Sequence, residues 1–539
     1  MIRRAALVVL VFAFSVFTSC KTIKPPKELP PDLDYSNQDI VNNEIERINK
    51  LLESEPVRAL WRASLLADEE LLEKCRSTVE HKLNISIEEN EYLDAINCYK
   101  SLKAVFSDYN YKDYTEAKLL DFAAKDIPAL SKVNKKSPKT ISECMQATVT
   151  IWVDRGIKVQ NGAGYADVII GSGFFIDERG YIVTNHHVIE SMVDPKYEGY
   201  SRLYIKLLSD SNTKIPARVV GFDKALDFAL LKVEITPDFV LNLGGSKDLN
   251  IGDKVSAIGT PIGLEGTLTS GIISSTDRKL LALGNVFQID AAINSGNSGG
   301  PLIDENMKVQ AVVFAGILQM QGLNFAIPIE YLKQELLILY NREEVRHPWI
   351  SCFGNTKKNG NKKTGLEVQY VLPGGTAYMA GLRPGDVITS LDGKTVTSIE
   401  DFNYYMMSYE TETIVECKYI SANGSEKSCL VYLDLRPENP GLVVYKSDLV
   451  SDSFVPLFGM KLLSASTLSK NIYTIESVIT GSVADEMHFS TGDSVTVRDV
   501  AVDMENEYIY VQLYTKRKKK AFLDVMLGLA ARMDSPYYF

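Results

Sequence analysis

The chain has 539 residues, which is enough for three or four domains that each bury a core. With 45% hydrophobic residues and a formal net charge of −11, its composition is that of a mildly acidic globular protein and not of a nucleic-acid binder. The densest basic run, residues 516–520, follows a strand-like stretch, so we interpret it as a solvated lysine cluster that protects a sheet edge.

The first 19 residues are typical of a secretory signal peptide. Two arginines precede an apolar run over residues 5–18, which is too short to span a bilayer comfortably. The following F-T-S-C resembles a bacterial lipobox, with Phe17 in place of the usual leucine, and the resemblance implies cleavage before Cys20 and lipid attachment there. Plain secretion and an uncleaved signal anchor are the alternatives. Residues 20–38 are rich in proline and are predicted to form a tether off the membrane.

Residues 39–140 are predicted to form an α-helical domain, because apolar side chains recur there at helical spacing. The side chains that set this pattern are Ile45, Ile48, Leu51, Leu52, Tyr92, Ile96, Tyr99, Leu102 and Phe106. A period of about 34 residues is not sustained, so the pattern does not predict a helical repeat. We expect a small bundle that positions the next domain, with a dedicated partner-binding domain as the alternative. Residues 132–142 are polar and predict a linker.

Residues 141–340 contain short stretches rich in Val, Ile and Phe between Gly and Asp turns, which predicts an all-β pair of barrels. Within them, residues 290–301 read D-A-A-I-N-S-G-N-S-G-G-P and include the candidate nucleophile Ser298. A serine is a weak nucleophile at neutral pH, so it needs a base for its proton and donors for the oxyanion it creates. The glycines allow a tight turn in which the amides of Gly296 and Ser298 point into one small space.

A Gly- and Ser-rich surface turn is the alternative interpretation of residues 290–301, since short turns of this composition are common. Two upstream segments argue against it. T-N-H-H-V at residues 184–188 offers a histidine after an apolar run, and A-L-D-F-A-L-L-K-V at residues 225–233 offers an acid that opens another apolar run. A base and an acid are therefore available to the serine.

Four motifs occur in order along this region, namely G-S-G-F-F-I-D-E-R-G-Y-I-V-T-N-H-H-V, L-D-F-A-L-L-K-V, G-T-P-I-G-L-E-G-T-L-T-S-G-I-I-S and D-A-A-I-N-S-G-N-S-G-G-P. Together they resemble the HtrA/Deg family of trypsin-like serine proteases. The resemblance implies a chymotrypsin-like all-β double barrel with the reaction in the cleft between the barrels. Residue by residue, it puts the general base on His187, the orienting acid on Asp227 and the nucleophile on Ser298. The amides of Gly296 and Ser298 would form the oxyanion hole.

The same resemblance covers the neighbouring positions. The family pattern T-N-x-H-V puts the catalytic ring on the second histidine, so His186 is expected to be a surface or supporting residue. Asp223 does not directly open the apolar strand and is expected to be a turn residue. Residues 312–316 would pair with the substrate backbone. In this family the loops near residues 264–269 and 317–322 often switch between active and inactive arrangements.

The resemblance also bears on specificity. In the trypsin-like arrangement, the residue six before the nucleophile forms the floor of the first specificity pocket. Here that residue is Ala292, and the pocket segment continues through Ile293 and Asn294. Because no acid is available there to pair with Lys or Arg, we expect cleavage after small or medium aliphatic residues such as Val or Ala.

Two later segments repeat each other. G-G-T-A-Y-M-A-G-L-R-P-G-D-V-I at residues 374–388 aligns with G-S-V-A-D-E-M-H-F-S-T-G-D-S-V at residues 481–495, at a constant offset of 107 residues. Such self-similarity implies two copies of one module. Both copies resemble α+β PDZ domains. The first module spans residues 345–437, and the second module, a degenerate copy, spans residues 441–539.

Each module would carry a carboxylate-binding loop, whose amides hold a peptide C-terminus while the peptide adds a strand to the sheet edge. The loop residues implied by the resemblance are Trp349, Ile350 and Ser351 in the first module and Leu457, Phe458, Gly459 and Met460 in the second. Ser351 replaces the glycine that the family prefers, and His488 stands where the first copy has Gly381. The second module is therefore either a peptide binder or purely structural.

Seven cysteines are compatible with an oxidising compartment but do not require one. Cys417 and Cys429 flank a hairpin-like stretch, and Cys75 and Cys98 could join two antiparallel helices, so each pair is either a disulfide or two buried thiols. The five histidines show no zinc-ligand spacing, and no phosphate-cradling G-x-x-x-x-G-K-[ST] motif occurs. We predict an enzyme without a cofactor, independent of both metal and ATP.

The combined expectation is a serine endopeptidase of the bacterial cell envelope, lipid-anchored and facing the periplasm, that degrades misfolded or damaged exported proteins. Its partners would be unfolded or C-terminally exposed polypeptides and a membrane, without nucleic acid, and the family resemblance implies a trimer-based homo-oligomer. Two alternatives are a proteolytically silent PDZ chaperone or scaffold and a regulatory protease with one signalling substrate. The presence of His187, Asp227 and Ser298 argues against a silent domain.

Overall fold

The computed structural model describes Pro26 and residues 37–127, 136–260, 266–294, 296–316, 323–465, 471–518 and 522–539. The predicted signal peptide, Cys20, nearly all of the predicted tether and the loop at residues 317–322 lie outside the described residues, as does the first part of the loop near residues 264–269. Among the helices that are described, none combines the length and the apolar character needed to cross a membrane.

The predicted helical domain is confirmed. Its helices are α1 (Gln38–Ser54), α2 (Pro56–Ser64), α3 (Glu69–Glu88), α4 (Tyr92–Val105) and α5 (Glu116–Ala124). Side chains of Asn37, Asp68 and Thr115 cap α1, α3 and α5 by accepting an amide hydrogen bond in the first turn. The apolar faces meet in one core, in which Trp61 is 1% exposed. The helices therefore begin where capping side chains occur and are held by burial of their apolar faces.

The next region forms two closed β-barrels, which confirms the predicted double barrel. After the short helix α6 (Ile141–Gln146), the first barrel has strands β1 (Thr148–Gln160), β2 (Ala163–Asp177), β3 (Tyr181–Thr184), β4 (Arg202–Leu207), β5 (Asp210–Asp223) and β6 (Phe228–Val233), in the order β1-β2-β3-β6-β5-β4. Helix α7 (His186–Val193) follows β3. Because this sheet closes on itself, the barrel has no free edge strand that could pair with another chain.

The second barrel is closed in the order β10-β11-β12-β9-β8-β7. Its strands are β7 (Lys254–Gly259), β8 (Thr267–Arg278), β9 (Val286–Ile289), β10 (Pro301–Ile303), β11 (Val309–Gly316) and β12 (Asn324–Pro328), and helix α8 (Ile329–Asn341) follows. One apolar cluster includes Phe174 and Phe228 of the first barrel, Val312 of the second and Leu336 of α8. This shared core fixes the cleft between the barrels.

The first module is a sheet with the strand order β13-β19-β18-β16-β15-β14, in which β17 also pairs with β16. Its elements are β13 (Pro348–Trp349), β14 (Cys352–Asn359), β15 (Lys362–Val371), α9 (Thr376–Met379), β16 (Val387–Leu391), β17 (Lys394–Thr395), α10 (Ile399–Met406), β18 (Thr413–Ile420) and β19 (Glu426–Leu435). Helix α10 lies between β17 and β18 in the chain and packs on β14 and β15.

The second module is a sheet with the order β20-β21-β22-β23-β24. Its elements are α11 (Pro440–Ser447), α12 (Val450–Phe458), β20 (Met460–Ser464), β21 (Ile472–Val478), α13 (Val483–Glu486), β22 (Ser494–Asp503), β23 (Tyr508–Lys518) and β24 (Phe522–Arg532). The predicted repeat extends to the backbone, because Gly374 and Gly481 have φ angles of 74° and 77°. The two copies differ after their third long strand, where residues 504–507 form a turn in place of α10.

The helical domain packs mainly on the first module, whereas we expected it to position the protease domain. Trp61 donates its indole N–H to the Leu430 carbonyl at 2.9 Å, and the Ile414 amide donates to the Ser101 hydroxyl at 3.0 Å. Ile414 and Tyr432 of β18 and β19 are buried in the core of the helical domain. The outer face of this sheet and the helices therefore share one apolar core.

Candidate active site

Asp227 and His187 are held together by two hydrogen bonds at the rim of the first barrel. Asp227 directly precedes β6, and His187 lies in the first turn of α7. One carboxylate oxygen of Asp227 accepts the His187 amide at 2.8 Å, and the other lies 2.7 Å from the ring Nδ1. An ionised carboxylate in this position keeps the proton on Nδ1, so Nε2 is left with the lone pair that a general base needs.

The backbone around Asp227 adds to this arrangement. The Asp227 carbonyl accepts the side-chain amide of Asn185 at 2.9 Å and the His186 amide at 3.2 Å. Burial of the His187 ring lowers its pKa, but the hydrogen bond and the charge of Asp227 raise it, and the net direction is upward. The carboxylate thus orients the ring and stabilises the imidazolium that proton transfer would create.

Ser298 lies in a turn that joins the two barrels. The Ser298 carbonyl accepts the Ser172 amide of β2 at 2.8 Å, and the Gly299 amide donates to the Val313 carbonyl of β11 at 2.8 Å. Gly299 has a φ of 83°, and a Cβ there would lie 2.3 Å from the Ser172 carbonyl oxygen. Only glycine permits this approach, so the turn carrying Ser298 is fixed to both barrels.

Phe314 contacts both Ser298 and His187. The Ser298 hydroxyl donates to the Phe314 carbonyl at 3.2 Å, and the Phe314 ring meets the His187 ring edge-on with centroids 6.4 Å apart. In this structure, therefore, the hydroxyl bonds to the main chain of β11 and not to the imidazole. Hydrogen bonds between a nucleophile and its base often tighten only when the substrate binds.

The amides of the predicted oxyanion hole are available. Gly296 has a φ of 103°, and its carbonyl accepts the Ser172 hydroxyl at 2.6 Å, which fixes the peptide between Gly296 and Asn297. Among the described residues, neither the Gly296 amide nor the Ser298 amide donates to a protein acceptor. Two free donors beside a serine hydroxyl are what a developing oxyanion requires.

The three residues predicted for the first specificity pocket lie between β9 and Ser298. Ala292 and Asn294 are exposed, and Ile293 packs against the core of the second barrel. The nearest acid in the segment, Asp290, uses one carboxylate oxygen to accept the Ile272 amide at 2.6 Å. The predicted floor of the pocket, Ala292, is therefore a small and uncharged side chain.

His186 and Asp223 have different surroundings from those that the sequence led us to expect. His186 is 7% exposed and stacks on Phe222, so of the two expected positions, the surface and a supporting one, it takes the supporting one. Asp223 does accept the Ala225 amide at 2.7 Å, as a turn residue would. It is also fully buried, and its other oxygen lies 2.9 Å from Nε2 of His347.

Asp223, His347 and Glu335 form a buried cluster that sequence reasoning missed. One ligand atom from each of the three lies within 4.8 Å of the others, a set that could in principle hold a cation. Burial and the neighbouring Asp223 raise the pKa of Glu335 well above its usual range, which favours the neutral form of this side chain. Burial acts to raise the pKa of Asp223, but His347 lowers it, and the net direction is downward. The cluster joins β5, α8 and the connection to the first module.

The residues predicted for the two carboxylate-binding loops are buried. Trp349, Ile350 and Ser351 are each at most 5% exposed, and Ser351 has the left-handed backbone, with a φ of 66°, that its family glycine would supply. In the second module, Leu457 and Phe458 end α12, Gly459 caps it and Met460 begins β20. This module has the turn at residues 504–507 in place of α10, so the helical wall of a PDZ groove is missing there.

The six cysteines in the described residues are free thiols. Cys417 and Cys429 face each other across β18 and β19, as predicted from the hairpin, but they form no disulfide. Cys75 and Cys98 are buried on α3 and α4, and burial raises the pKa of the Cys75 thiol to about 11. Both pairs are therefore free thiols, buried at Cys75, Cys98 and Cys417 and half-buried at Cys429.

Models of known families match four stretches of the chain. A trypsin-like peptidase domain matches residues 171–312, and a PDZ domain matches residues 367–416. A TP0546 family PDZ domain matches residues 441–533, and a domain of unknown function (DUF8517) matches residues 39–123. The matches follow the barrels, the two modules and the helical domain.

Curated proteins and solved structures are similar over the same region. A protein described as "probable periplasmic serine endoprotease DegP-like" from Hahella chejuensis is 36% identical over 238 residues, which are 42% of this chain and 49% of that protein. A protein with the same description from Halomonas elongata is 37% identical over 287 residues, 50% of this chain and 57% of that protein. This chain thus spans about half the length of these relatives. The crystal structure of the serine endoprotease from Yersinia pestis is 26% identical, covers 56% of this chain and 99% of its own, and superposes with a TM-score of 0.42.

Proposed function

This chain belongs to the HtrA/Deg family of trypsin-like serine proteases with C-terminal PDZ domains, and from that premise we propose that it is an active serine endopeptidase. The observation that carries the proposal is the use of both Asp227 carboxylate oxygens to hold His187, in the cleft where Ser298 is fixed to both barrels. A silent domain would have no physical need for this orientation.

In the proposed mechanism, Nε2 of His187 takes the Ser298 proton while Oγ attacks a peptide carbonyl. Asp227 keeps the ring in the required tautomer and stabilises the imidazolium. The amides of Gly296 and Ser298 bind the oxyanion of the tetrahedral intermediate, and displacing one such donor would cost about 10²- to 10³-fold in rate. The imidazolium then returns its proton to the leaving amine, and water releases the acyl group by the same route.

The decisive experiment compares Ser298→Ala with the matched control Ser270→Ala, which alters an exposed serine of β8. We expect the parent and Ser270→Ala to cleave unfolded casein and to be labelled by a fluorophosphonate, and Ser298→Ala to do neither. Labelling or cleavage that persists in Ser298→Ala, or a parent that shows neither, would refute the proposal.

For the substrate, we propose polypeptides cleaved after small or medium aliphatic residues, because Ala292 and its exposed neighbour Asn294 offer no charge for Lys or Arg. Profiling with a peptide library should show Val or Ala before the cleaved bond. A strong preference for Arg would contradict this.

We assign the capture of substrate peptides to the first module, which has both the predicted carboxylate-binding loop and α10. The second module has a structural role.

For the cellular location and role, we propose quality control of exported proteins in the periplasm. The relatives, which this chain matches over about half of their length, are described as probable periplasmic endoproteases. A lipid on Cys20 would anchor the chain to the membrane, and the protease domains would assemble into trimers. Metabolic labelling with a radioactive fatty acid should mark the parent and not Cys20→Ser. Light scattering should give three times the mass of one chain.

A further inference from the structure

Residues 534–539, here the 534–539 segment, leave the second module after β24 and run along β14 of the first module. The Phe539 amide donates to the Cys352 carbonyl at 2.9 Å, and the Cys352 amide donates to the Phe539 carbonyl oxygen at 2.8 Å. Two residues further along β14, the Gly354 amide donates to the Tyr537 carbonyl at 3.1 Å. This alternation is that of an antiparallel strand added to the edge of the sheet.

The Phe539 side chain fills a pocket of the first module. It is 3% exposed, belongs to the apolar core of that module, and meets the Phe402 ring of α10 edge-on with centroids 5.1 Å apart. A Cβ at Gly354 would lie 2.1 Å from the Glu367 carbonyl oxygen of β15 and 3.1 Å from the Phe539 ring, so the glycine that β15 requires also leaves space for this ring. On the α10 side, the Asn403 side chain donates to the Pro536 carbonyl at 3.1 Å. The segment therefore lies between β14 and α10, beside the predicted carboxylate-binding loop.

The two preceding tyrosines contact the other domains. Tyr538 is 1% exposed, packs among apolar side chains of both modules and donates its hydroxyl to the Pro456 carbonyl of α12 at 3.4 Å. The Tyr537 ring packs against the Lys279 ammonium, which lies 4.4 Å from the ring centroid. Lys279 belongs to the protease domain, in the connection between β8 and β9. The same ammonium lies 3.5 Å from Glu400 of α10.

An ion pair fixes the start of the 534–539 segment. Both carboxylate oxygens of Asp534 accept from the Arg436 guanidinium, at 2.6 and 2.7 Å, and both side chains are largely buried. Arg436 lies just after β19 of the first module and Asp534 just after β24 of the second. A bidentate pair of this kind sets direction as well as position, so it aims the segment at the groove.

We propose that the 534–539 segment is an intramolecular ligand of the first module. It occupies the groove to which substrate capture is assigned, so a substrate peptide must displace it before it can bind. The occupant also defines the ligand class as an extended peptide with phenylalanine in the pocket and aromatic residues before it. This inference rests on the proposed capture role of the groove, but it does not require that Ser298 be catalytic.

A tethered ligand competes at an effective concentration of about millimolar. Weak peptides are therefore excluded, and only ligands that match the pocket or reach high local concentration displace the segment. Because Tyr537 and Tyr538 contact the protease domain and the second module, displacement also removes contacts that join three domains. Ligand binding at the groove would thus loosen the first module from its neighbours.

The test measures binding of the fluorescein-labelled peptide D-S-P-Y-Y-F by anisotropy, with full-length protein carrying Ser298→Ala so that proteolysis plays no part. Phe539→Ala removes the pocket residue, and Asp534→Asn weakens the ion pair without touching the groove. Leu463→Ala, at a 48% exposed leucine of β20, is the matched control. Circular dichroism checks that each variant is folded.

Release of a tethered competitor should lower the apparent Kd for the labelled peptide by about tenfold or more in both Phe539→Ala and Asp534→Asn, with Leu463→Ala unchanged. Equal affinity in the parent and in both releasing variants would overturn the proposal, because the segment would then be a fixed structural strand. Loss of casein cleavage has no bearing on this readout, so failure of the proposed function and failure of this inference are distinguishable.

Discussion

Asp227 has a left-handed backbone, with a φ of 58°, directly before β6. This conformation is strained for most residues but is tolerated by Asp and Asn. It turns the carbonyl toward Asn185 and His186 while the side chain reaches the His187 amide and ring. A single residue thus determines the direction of the imidazole through both its main chain and its carboxylate.

Asp227→Asn should therefore preserve the fold and lose activity. Asparagine accepts the same backbone angle, but its amide cannot hold the tautomer with the proton on Nδ1. We expect kcat/KM for a peptide substrate to fall by about 10⁴-fold, with an unchanged circular dichroism spectrum. A loss below tenfold would show that the carboxylate does not orient the base.

The pH dependence of kcat/KM should report the His187 pKa. Only the neutral ring accepts a proton, so activity should rise with pH through a midpoint above the ordinary value of 6.5, because Asp227 raises the pKa against the effect of burial. Asp227→Asn removes the carboxylate charge that raises the His187 pKa, while burial still lowers it. The midpoint of the residual activity should therefore move to lower pH. Glu190→Gln removes a weaker cause of the same rise and should move it less. Identical midpoints in all three would contradict this assignment.

Among the secondary-structure elements, β5 and α8 are in unusually close contact. A Cβ at Gly221 of β5 would lie 2.0 Å from the Leu339 carbonyl oxygen of α8, so glycine is required at this crossing. The contact brings Asp223 at the end of β5 beside Glu335 of α8, and His347 completes the cluster. Burial and Asp223 raise the pKa of Glu335, which favours its neutral form and avoids the cost of an unpaired buried charge.

The protonated Glu335 makes stability depend on pH. A folded-state pKa above the unfolded value contributes stability that is complete below about pH 4.3 and is lost as pH rises through the folded pKa. Glu335→Gln cannot titrate, so its thermal midpoint should decline less than that of the parent between about pH 5 and pH 8. Glu305→Gln, at a carboxylate that is 75% exposed, is the control and should follow the parent. Parallel curves for all three proteins would refute a protonated Glu335.

Across the domains, the first module contacts both the helical domain and the barrels, and Arg342 joins all three. Arg342, just after α8, bonds to Glu410 of the first module at 2.7 Å and to Asp94 of α4 at 2.9 Å. Trp61 contributes to the same junction by stacking on Tyr432 with ring centroids 5.7 Å apart. The arrangement makes the first module the common neighbour of the helices, the protease domain and the second module.

Trp61→Ala should loosen this junction. Removing a large side chain that is 1% exposed costs about 3–5 kcal/mol, and the loss should appear as faster hydrogen exchange in α2 and in β18 and β19. Trp61→Phe keeps most of the volume and loses the bond to Leu430, so it should cost about 1–2 kcal/mol. Phe122→Ala, at a 37% exposed side chain, should leave exchange in β18 and β19 unchanged. Equal protection in Trp61→Ala and the parent would contradict the shared core.

Local sequence patterns were sufficient for the fold class and for the candidate catalytic residues. Apolar spacing predicted the helices, and short runs rich in Val, Ile and Phe between Gly and Asp turns predicted the barrels. The motifs around His187, Asp227 and Ser298 carry the family resemblance that assigned a role to each. The repeat of 107 residues predicted two copies of one module, and the structure adds that Gly374 and Gly481 share a left-handed backbone. Helices, strands and turns can be predicted in this way because their backbone angles and the burial of their side chains are determined largely by residues close in the sequence.

Contacts between distant segments were decided only by tertiary packing. Nothing near Asp223 points to His347, which lies 124 residues away, and no motif marks the helical domain as a partner of β18 and β19. The placement of Phe539 in the groove of the first module also follows from no periodicity. Such pairings are selected by the free energy of burying complementary surfaces in the complete fold, which depends on all the elements at once and leaves no pattern in any one of them.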